Sequence, residues 1–343
     1  MNRSIPHLAA AGFLAALAAG LVFLNWHGST TPEPAQESIA HELADTHNQE
    51  PISPLPRSIT VSPAKAKLGE RLFNDPILSS DHTISCASCH ILQLGGTDRQ
   101  RTSLGVGGKR GAVNAPTVFN TAFNFFHFWD GRAASLEEQA GGPITNPVEM
   151  NLTWPEVLAR LQADPEYRAD FVKIYPEGIS EASVADAIAS YERTLITPDS
   201  PFDRYLRGEH DAIDENARRG YALFKSYGCA SCHQGVNVGG NMFQRFGVMG
   251  DYFADRGNLT KADLGRYNVT GNPDDRYVFR VPSLRNVAIT PPYFHDGSAE
   301  RLEEAVAIMA RYQLGRDLSE EDNRLIVAFL KTLTGNLDGK PLQ

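Results

Sequence analysis

The sequence predicts a mainly α-helical fold of two similar domains in tandem, preceded by an apolar segment and a polar tether. The tandem arrangement is predicted because the two halves share aligned motifs. The helical class is predicted because apolar residues recur at helical spacing while alternating strand patterns are scarce. The N-terminal part differs in composition from the rest, and 343 residues are enough for two domains and a tail. The predicted ranges are 1–27 for the apolar segment, 28–58 for the tether, and 59–203 and 204–343 for the domains.

The apolar segment carries no charged side chain over residues 8–26, a length that just reaches across a hydrocarbon core of about 30 Å. Arg3 precedes it, and acidic residues follow it at Glu33, Glu37, Glu42, Asp45 and Glu50. By the positive-inside rule, the remaining chain lies outside the cytoplasm. The segment is predicted to be a membrane anchor. A cleaved signal peptide is the alternative, although no clean small-x-small site follows the apolar run.

The tether is rich in Pro, Ser, Thr and Glu and shows no apolar periodicity. Its five prolines disfavour helix, so a flexible segment is predicted. For the whole chain, 32 basic against 41 acidic residues give a net charge of −9 without a basic cluster. This balance argues against nucleic-acid binding. The 42% apolar content excludes a largely disordered chain.

An internal repeat organises the remaining residues. GERLF precedes the first CASCH motif and GYALF precedes the second, and residues 116–140 align without a gap to residues 282–306. In this alignment Trp129 matches His295, and the second copy carries 23 further residues between its Cys motif and Pro282. Helices are predicted before each Cys pair, from Leu136 and Leu302, and over 155–173, 181–196 and 319–333.

Each Cys pair is followed directly by a histidine, and this pattern predicts covalently bound haem c. Two thiols three residues apart can each add to a vinyl group of one haem, and the adjacent His then faces the iron. The predicted sets are Cys86, Cys89 and His90 for one haem and Cys229, Cys232 and His233 for the other. A zinc site needs four ligands close together, whereas these pairs lie 143 residues apart. A thioredoxin-like pair requires no adjacent His. The prediction is therefore two cytochrome c-like haem domains.

The sixth ligand of each iron decides what the haem can do. Met309 lies on a predicted helix after the second haem motif and is a candidate thioether ligand, which would raise the reduction potential. The loop at residues 91–113 after the first motif contains neither His nor Met. The first iron is therefore predicted to keep an open position.

These motifs resemble the bacterial di-haem cytochrome c peroxidases over residues 60–337. The motifs NAPT, FWDGR, VEM, YFHDG and IVAFLKTLTG carry the resemblance, together with the two CxxCH copies. It implies that the N-terminal haem is the low-potential site that reduces hydrogen peroxide and that the C-terminal haem is the high-potential entry for electrons. The N-terminal segment predicts a periplasmic enzyme that is anchored to the inner membrane, or one that is secreted after signal cleavage. The expected electron donor is a small cytochrome c or a cupredoxin, and the expected assembly is a homodimer.

The resemblance also assigns roles to single residues. Met309 falls on the distal ligand of the high-potential haem, and Trp129 on the residue between the haems. Glu149 and Gln139 fall on residues of the catalytic pocket. An inter-domain calcium is implied at Asn114, Thr290 and Pro292, the last two through backbone oxygens.

One position departs from the family pattern. Many members carry a distal His 20 residues after the first Cys, which blocks the peroxidatic iron until the other haem is reduced. Here that position is Val106, which cannot bind iron, so activity without reductive uncapping is predicted. His127 is a substitute ligand or, as the favoured interpretation, a packing residue.

The predicted chemistry requires proton transfer between the two oxygens of peroxide. Glu149 is the candidate base and acid, although a Glu near Pro147 also suits an ordinary helix start. Trp129 can bridge the haems or simply pack, and Arg132 is a candidate partner of a haem propionate. The alternatives are a di-haem oxidase acting on a protein, whose relatives carry Tyr where Met309 stands, and a non-catalytic electron carrier.

Overall fold

Helices form most of the framework in the computed structural model, which describes residues 50–343. The predicted anchor and residues 28–49 of the predicted tether lie outside these residues. Within 50–343, no helix has the length and apolar character needed to cross a membrane. The helices are α1 (Pro63–Asn74), α2 (Cys86–Cys89), α3 (Leu136–Thr145), α4 (Trp154–Ala163), α5 (Pro165–Ile174), α6 (Glu181–Thr194), α7 (Pro201–Leu206), α8 (Glu215–Ser226), α9 (Tyr252–Arg256), α10 (Tyr267–Thr270), α11 (Leu302–Leu314) and α12 (Glu320–Lys331).

Strands are short, as the sequence predicts. Strands β1 (Phe243–Arg245) and β2 (Val278–Arg280) pair antiparallel, with Gln244 opposite Phe279. Strands β3 (Asn336–Leu337) and β4 (Lys340–Pro341) form a second antiparallel pair near the C-terminus. The mainly helical prediction is confirmed.

The prediction of one helix over residues 155–173 is wrong. The chain forms α4 and α5 instead, because Pro165 lacks the N–H and sterically excludes a continuous helix. Asp164 ends α4 and caps α5, its side chain accepting hydrogen bonds from the backbone N–H groups of Glu166 and Tyr167. The predictions over 181–196 and 319–333 correspond to α6 and α12, which begin after the capping residues Ser180 and Ser319.

The repeat is visible in how helices cross. A Cβ placed on Gly69 of α1 would lie 1.8 Å from the carbonyl oxygen of Ala187 on α6. A Cβ on Gly220 of α8 would lie 1.9 Å from that of Leu325 on α12. The glycine of each GERLF-like motif is therefore required by close helix packing.

Two hydrophobic clusters lie on either side of the connection near residue 200. The first is built around α1, α3, α4, α5 and α6, and the second around α7, α8, α11 and α12. Thr197 lies between them, and its hydroxyl oxygen accepts hydrogen bonds from Asn120 at 2.8 Å and Asn286 at 3.0 Å. Asn120 and Asn286 occupy equivalent repeat positions, and both have a left-handed φ of 62°.

The ends of the described chain cross over between these clusters. Ile52 and Leu55 are fully buried; Ile52 belongs to the second cluster, while the Leu55 backbone N–H donates a 3.0 Å hydrogen bond to Asp203. Leu337 and Leu342 pack against the first cluster. The prediction of a flexible tether is thus incorrect for residues 50–55, because apolar side chains among the prolines find a buried site.

Candidate haem-binding sites

The first Cys motif forms a single helical turn. Ser85 and Ser88 cap α2 reciprocally, which fixes the turn that carries Cys86 and Cys89. His90 follows directly, and its Nδ1 atom lies 3.2 Å from the carbonyl oxygen of Gly96. A ring nitrogen that donates to a backbone carbonyl leaves Nε2 free as a metal ligand, so this arrangement fits an axial haem ligand.

The second Cys motif opens onto a cavity of about 260 Å³. Cys229, Cys232 and His233 line this cavity, and so does Met309 from α11. Burial lowers the pKa of His233 to about 4, which favours the neutral imidazole that iron requires. The residues that line this cavity thus include an imidazole and a thioether, the two ligand types that fit a haem iron.

The thiols do not have the properties of a reactive redox pair. Burial raises the pKa of Cys89 and of Cys229 to about 11, and that of Cys86 further still. A thioredoxin-like pair needs a lowered thiol pKa. Within residues 50–343, the one cluster of three potential metal-ligating side chains contains no cysteine, which also disfavours zinc bound by the Cys motifs.

Glu149 lies in the turn between α3 and α4. Burial raises its pKa above the usual range, although Arg132 and Asn146 oppose the shift. The Asn146 amide donates a 2.6 Å hydrogen bond to Glu149 Oε1. A half-buried carboxyl group with one fixed oxygen can hold and release a proton at the other.

Val106 lies beside Glu149. Its side chain is buried, and its backbone N–H donates to the Glu149 carbonyl oxygen at 2.8 Å. The adjacent Gly105 is so close to this turn that an added Cβ would lie 2.0 Å from the carbonyl oxygen of Val148. Val106, which stands where many family members carry a distal His, therefore lies next to Glu149, the candidate acid and base.

Gln139 and His127 were the other candidates near this site. Gln139 lies half-buried on α3, the helix that leads into the Glu149 turn. His127 is buried and forms a backbone bridge with Ala133, and the bridge between Tyr293 and Ala299 is its equivalent in the second copy. Its burial fits the packing interpretation.

Trp129 reaches from the first half of the chain to the cavity of the second. It lines that cavity and packs against an aromatic cluster containing Phe253 and Phe279. Its Nε1–H donates to the carbonyl oxygen of Asn114 at 2.9 Å. The indole is therefore fixed in orientation at the junction.

The residues of the predicted calcium site lie along the same cavity as Trp129. Asn114, Thr290 and Pro292 all line the cavity. Asn114 is buried, and its side-chain N–H group donates to Gln100. This leaves its Oδ1, a hard oxygen of the kind that calcium prefers.

Comparison with known proteins agrees with this arrangement. A family model described as di-haem cytochrome c peroxidase matches residues 63–211. The chain is 46% identical to cytochrome c peroxidase Ccp of Escherichia coli, over 91% of this chain and 70% of that protein.

The chain belongs to the di-haem cytochrome c peroxidase family.

Further relatives extend the match. The cytochrome c551 peroxidase of Nitrosomonas europaea is 46% identical, over 84% of this chain and 85% of that protein. A solved MauG-like protein associated with microbial copper homeostasis is 32% identical with a TM-score of 0.70, covering 83% of this chain and 93% of its own. Membership of this family implies two haem groups.

The peroxidase also contains a buried cluster of charged side chains that the sequence did not predict. His295 Nε2 lies 2.7 Å from Asp263 Oδ1, and Arg256 donates to both oxygens of Asp263 and to Asp296. Burial alone would raise the pKa of Asp263, but hydrogen bonds from His295, Arg256 and Thr260 hold it well below its usual range. Arg256 and Asp263 lie in the section that has 23 extra residues, where no repeat partner marks them.

Arg132 has partners within its own loop. Its guanidinium group pairs with Asp130 at 2.9 Å and lies 3.4 Å from the centre of the Phe128 ring. It therefore has a carboxylate partner within the protein, and its pairing with a haem propionate stays a prediction.

Proposed function

We propose that this peroxidase reduces hydrogen peroxide to water at the haem of Cys86, Cys89 and His90, with single electrons entering at the haem of Cys229, Cys232 and His233. Two electrons and two protons convert one hydrogen peroxide to two waters. The observation that carries the proposal is the position of Val106: a side chain that cannot bind iron lies beside Glu149, the candidate proton carrier.

The haem groups, when bound, supply the iron that accepts an oxidant and stores electrons. The protein contributes two different environments for them. Apolar Val106 and half-buried Glu149 form one, whereas His233 and Met309 line the other. Met309 would hold the second haem as its thioether ligand, which would raise its potential and suit it to receive electrons.

Glu149 is proposed to move the proton that heterolytic O–O cleavage requires. Its carboxylate takes a proton from one peroxide oxygen and returns it to the other, which leaves as water. The hydrogen bond from Asn146 fixes Oε1, so the transfer is assigned to Oε2. Gln139, on the neighbouring helix, is proposed to help position the substrate.

Electrons are proposed to pass the junction through Trp129, whose aromatic ring shortens the through-space step. Calcium bound by Asn114 and the carbonyl oxygens of Thr290 and Pro292 would hold this junction in place. Removal of calcium by a chelator should then slow electron transfer between the haems while leaving each haem attached. If the rate of electron transfer between the haems is unchanged after verified removal of calcium, the proposed calcium site is contradicted.

The donor is proposed to be a small cytochrome c or a cupredoxin. Two relatives at 45–46% identity are named cytochrome c551 peroxidase, which supports a small cytochrome. The proposed location is the periplasm, with residues 1–27 as inner-membrane anchor and a homodimer as the assembly.

Steady-state peroxide turnover with a reduced small cytochrome tests the proposal. The enzyme as isolated and the enzyme pre-reduced by one electron should turn over peroxide at equal rates and without a lag. The oxidised protein should also contain a high-spin haem. Activity only after pre-reduction, or two six-coordinate low-spin haems, would refute the open site. Absence of turnover in both forms would favour an electron carrier.

A further inference from the structure

Arg280 is a buried cation without a counter-charge in the described structure. We propose that its guanidinium group binds a propionate carboxylate of the haem attached at Cys229 and Cys232, and that it thereby raises the reduction potential of that haem. The inference rests on the proposed haem at this cavity. It assigns to Arg280 the role of neutralising a negative charge of that haem.

Arg280 is held rigidly at the end of β2. Its side chain is only 4% exposed. The backbone N–H donates to the Trp129 carbonyl oxygen at 2.8 Å, and Nε donates to the Phe128 carbonyl oxygen at 3.1 Å. Nη1 is buried with no hydrogen-bond partner. The backbone thus fixes one edge of the guanidinium group and leaves a donor unsatisfied.

Arg285, which lines the same cavity, provides a comparison. It is equally buried, but its Nη1 donates to Asp203 at 2.7 Å, and Nη2 donates to two backbone oxygens. Within residues 50–343, no carboxylate pairs with Arg280 in this way. The protein therefore supplies a carboxylate for the charge of Arg285, whereas the charge of Arg280 is left for a bound ligand to neutralise.

Buried charges are retained in proteins when they are paired, because desolvation of a lone ion is costly. Burial lowers the pKa of Arg280 to about 10, and no opposing charge restores it. Its positive field extends to His127, whose pKa burial and then Arg280 together lower to about 4. The guanidinium group thus acts as an uncompensated cation at the junction.

The ligand must carry an anionic group and must also fit a cavity with a largely apolar lining. Arg280 lines this cavity together with His233 and Met309. A haem bound by His233 carries two propionates, and a planar guanidinium group matches a carboxylate with paired N–H donors. Arg132, the earlier candidate, is already paired with Asp130.

The functional consequence is electrostatic. Reduction adds an electron to the haem, and a nearby fixed cation that neutralises a propionate stabilises that electron. A buried pair is little screened by salt, so the contribution persists at physiological ionic strength. Arg280 therefore adds to the effect of the Met309 thioether.

The test is an equilibrium redox titration of the full chain with both haems, followed at each haem separately and without peroxide. Arg280→Gln should lower the ratio of reduced to oxidised second haem at a fixed potential about tenfold, a shift of 59 mV for a one-electron couple. Arg280→Lys should recover part of the loss because it restores the charge. Arg311→Gln, which removes an exposed cation on α11, is the matched control and should shift little.

An unchanged potential of the second haem in Arg280→Gln would overturn the proposal, as would a shift confined to the first haem. A wild-type potential that varies with chloride concentration would mean that a solvent anion occupies the site instead. If Arg280→Gln fails to assemble, redox-difference infrared spectra of wild type and Arg280→Lys decide. The propionate carboxylate band should move in the lysine variant, and an identical band would count against the contact. None of these readouts depends on peroxide turnover, so they stand apart from the test of activity.

Discussion

The backbone N–H of Val106 donates a 2.8 Å hydrogen bond to the carbonyl oxygen of Glu149. This bond, together with the close approach of Gly105 to Val148, sets the loop position through backbone contacts. The Val106 side chain can therefore be changed without changing what holds the loop.

Val106→His should convert the enzyme into a form that requires pre-reduction. An imidazole at this position is a potential iron ligand, so the oxidised variant should lose high-spin absorption and show a lag in peroxide turnover. Absorption spectra and turnover, with and without one-electron reduction, measure the effect. Val106→Ala is the control and should stay active as isolated. If Val106→His has wild-type spectra and shows no lag, this loop does not face the iron.

Glu149→Gln should lower kcat for peroxide by about 10²- to 10⁴-fold, because the amide cannot take up and return a proton. Haem content and the potential of the second haem should not change. Glu166→Gln, on the exposed surface of α5, is the matched control. A loss smaller than threefold would remove Glu149 from the proton-transfer role.

The pH dependence of the wild type follows from the same residue. Because burial raises the pKa of Glu149, the carboxylate needed as base is lost as pH falls through a value above the ordinary 4.5. The acid limb of kcat/KM should lie there, and it should disappear from the residual activity of Glu149→Gln. An identical acid limb in the variant would assign it to another group.

Much of the fold was predictable because its signals are local. The caps Ser180 and Ser319 and the glycines Gly69 and Gly220 lie in the elements they define. The break at Pro165 was also readable, since Asp-Pro is a strong signal for a helix boundary.

The site was predictable only where motifs are contiguous. The Cys pairs and their histidines are adjacent in sequence, whereas Asp263 meets His295 only through tertiary structure. Arg280 differs from other arginines because its neighbours lack a carboxylate, and no sequence pattern reports such a vacancy.

Met309→Leu should lower the potential of the second haem, since it removes the thioether while nearly conserving volume. Redox titration of the two haems measures the shift. Met249→Leu is the control because that side chain is 63% exposed. Equal potentials in Met309→Leu and wild type would exclude Met309 as the ligand.

Trp129→Phe should slow electron transfer between the haems and remove the hydrogen bond to Asn114, at a cost of about 1 kcal/mol in the free energy of unfolding. Rapid-mixing measurements of haem reoxidation by peroxide report the transfer. Trp154→Phe makes the same change on α4, away from the junction, and should leave the rate unaltered. If both variants behave alike, the role of Trp129 is confined to packing.

Asp203→Ala should lower the free energy of unfolding by about 3–5 kcal/mol, because it leaves Arg285 buried and uncompensated. Thermal or denaturant unfolding of the holoenzyme measures this change. Asp317→Ala removes an exposed partner of Arg311 and should change Tm little. A small effect at Asp203 would mean that water or another group replaces its charge.

The crossing of the chain ends has a consequence for the evolution of this duplicated protein. Ile52 completes the cluster of the later copy, and Leu337 and Leu342 complete that of the earlier one. Each copy therefore depends on a chain end that lies beyond the other copy to complete its cluster. Cleavage of the chain near residue 200 should give fragments that remain associated, whereas either copy expressed by itself lacks the terminal segment that completes its cluster.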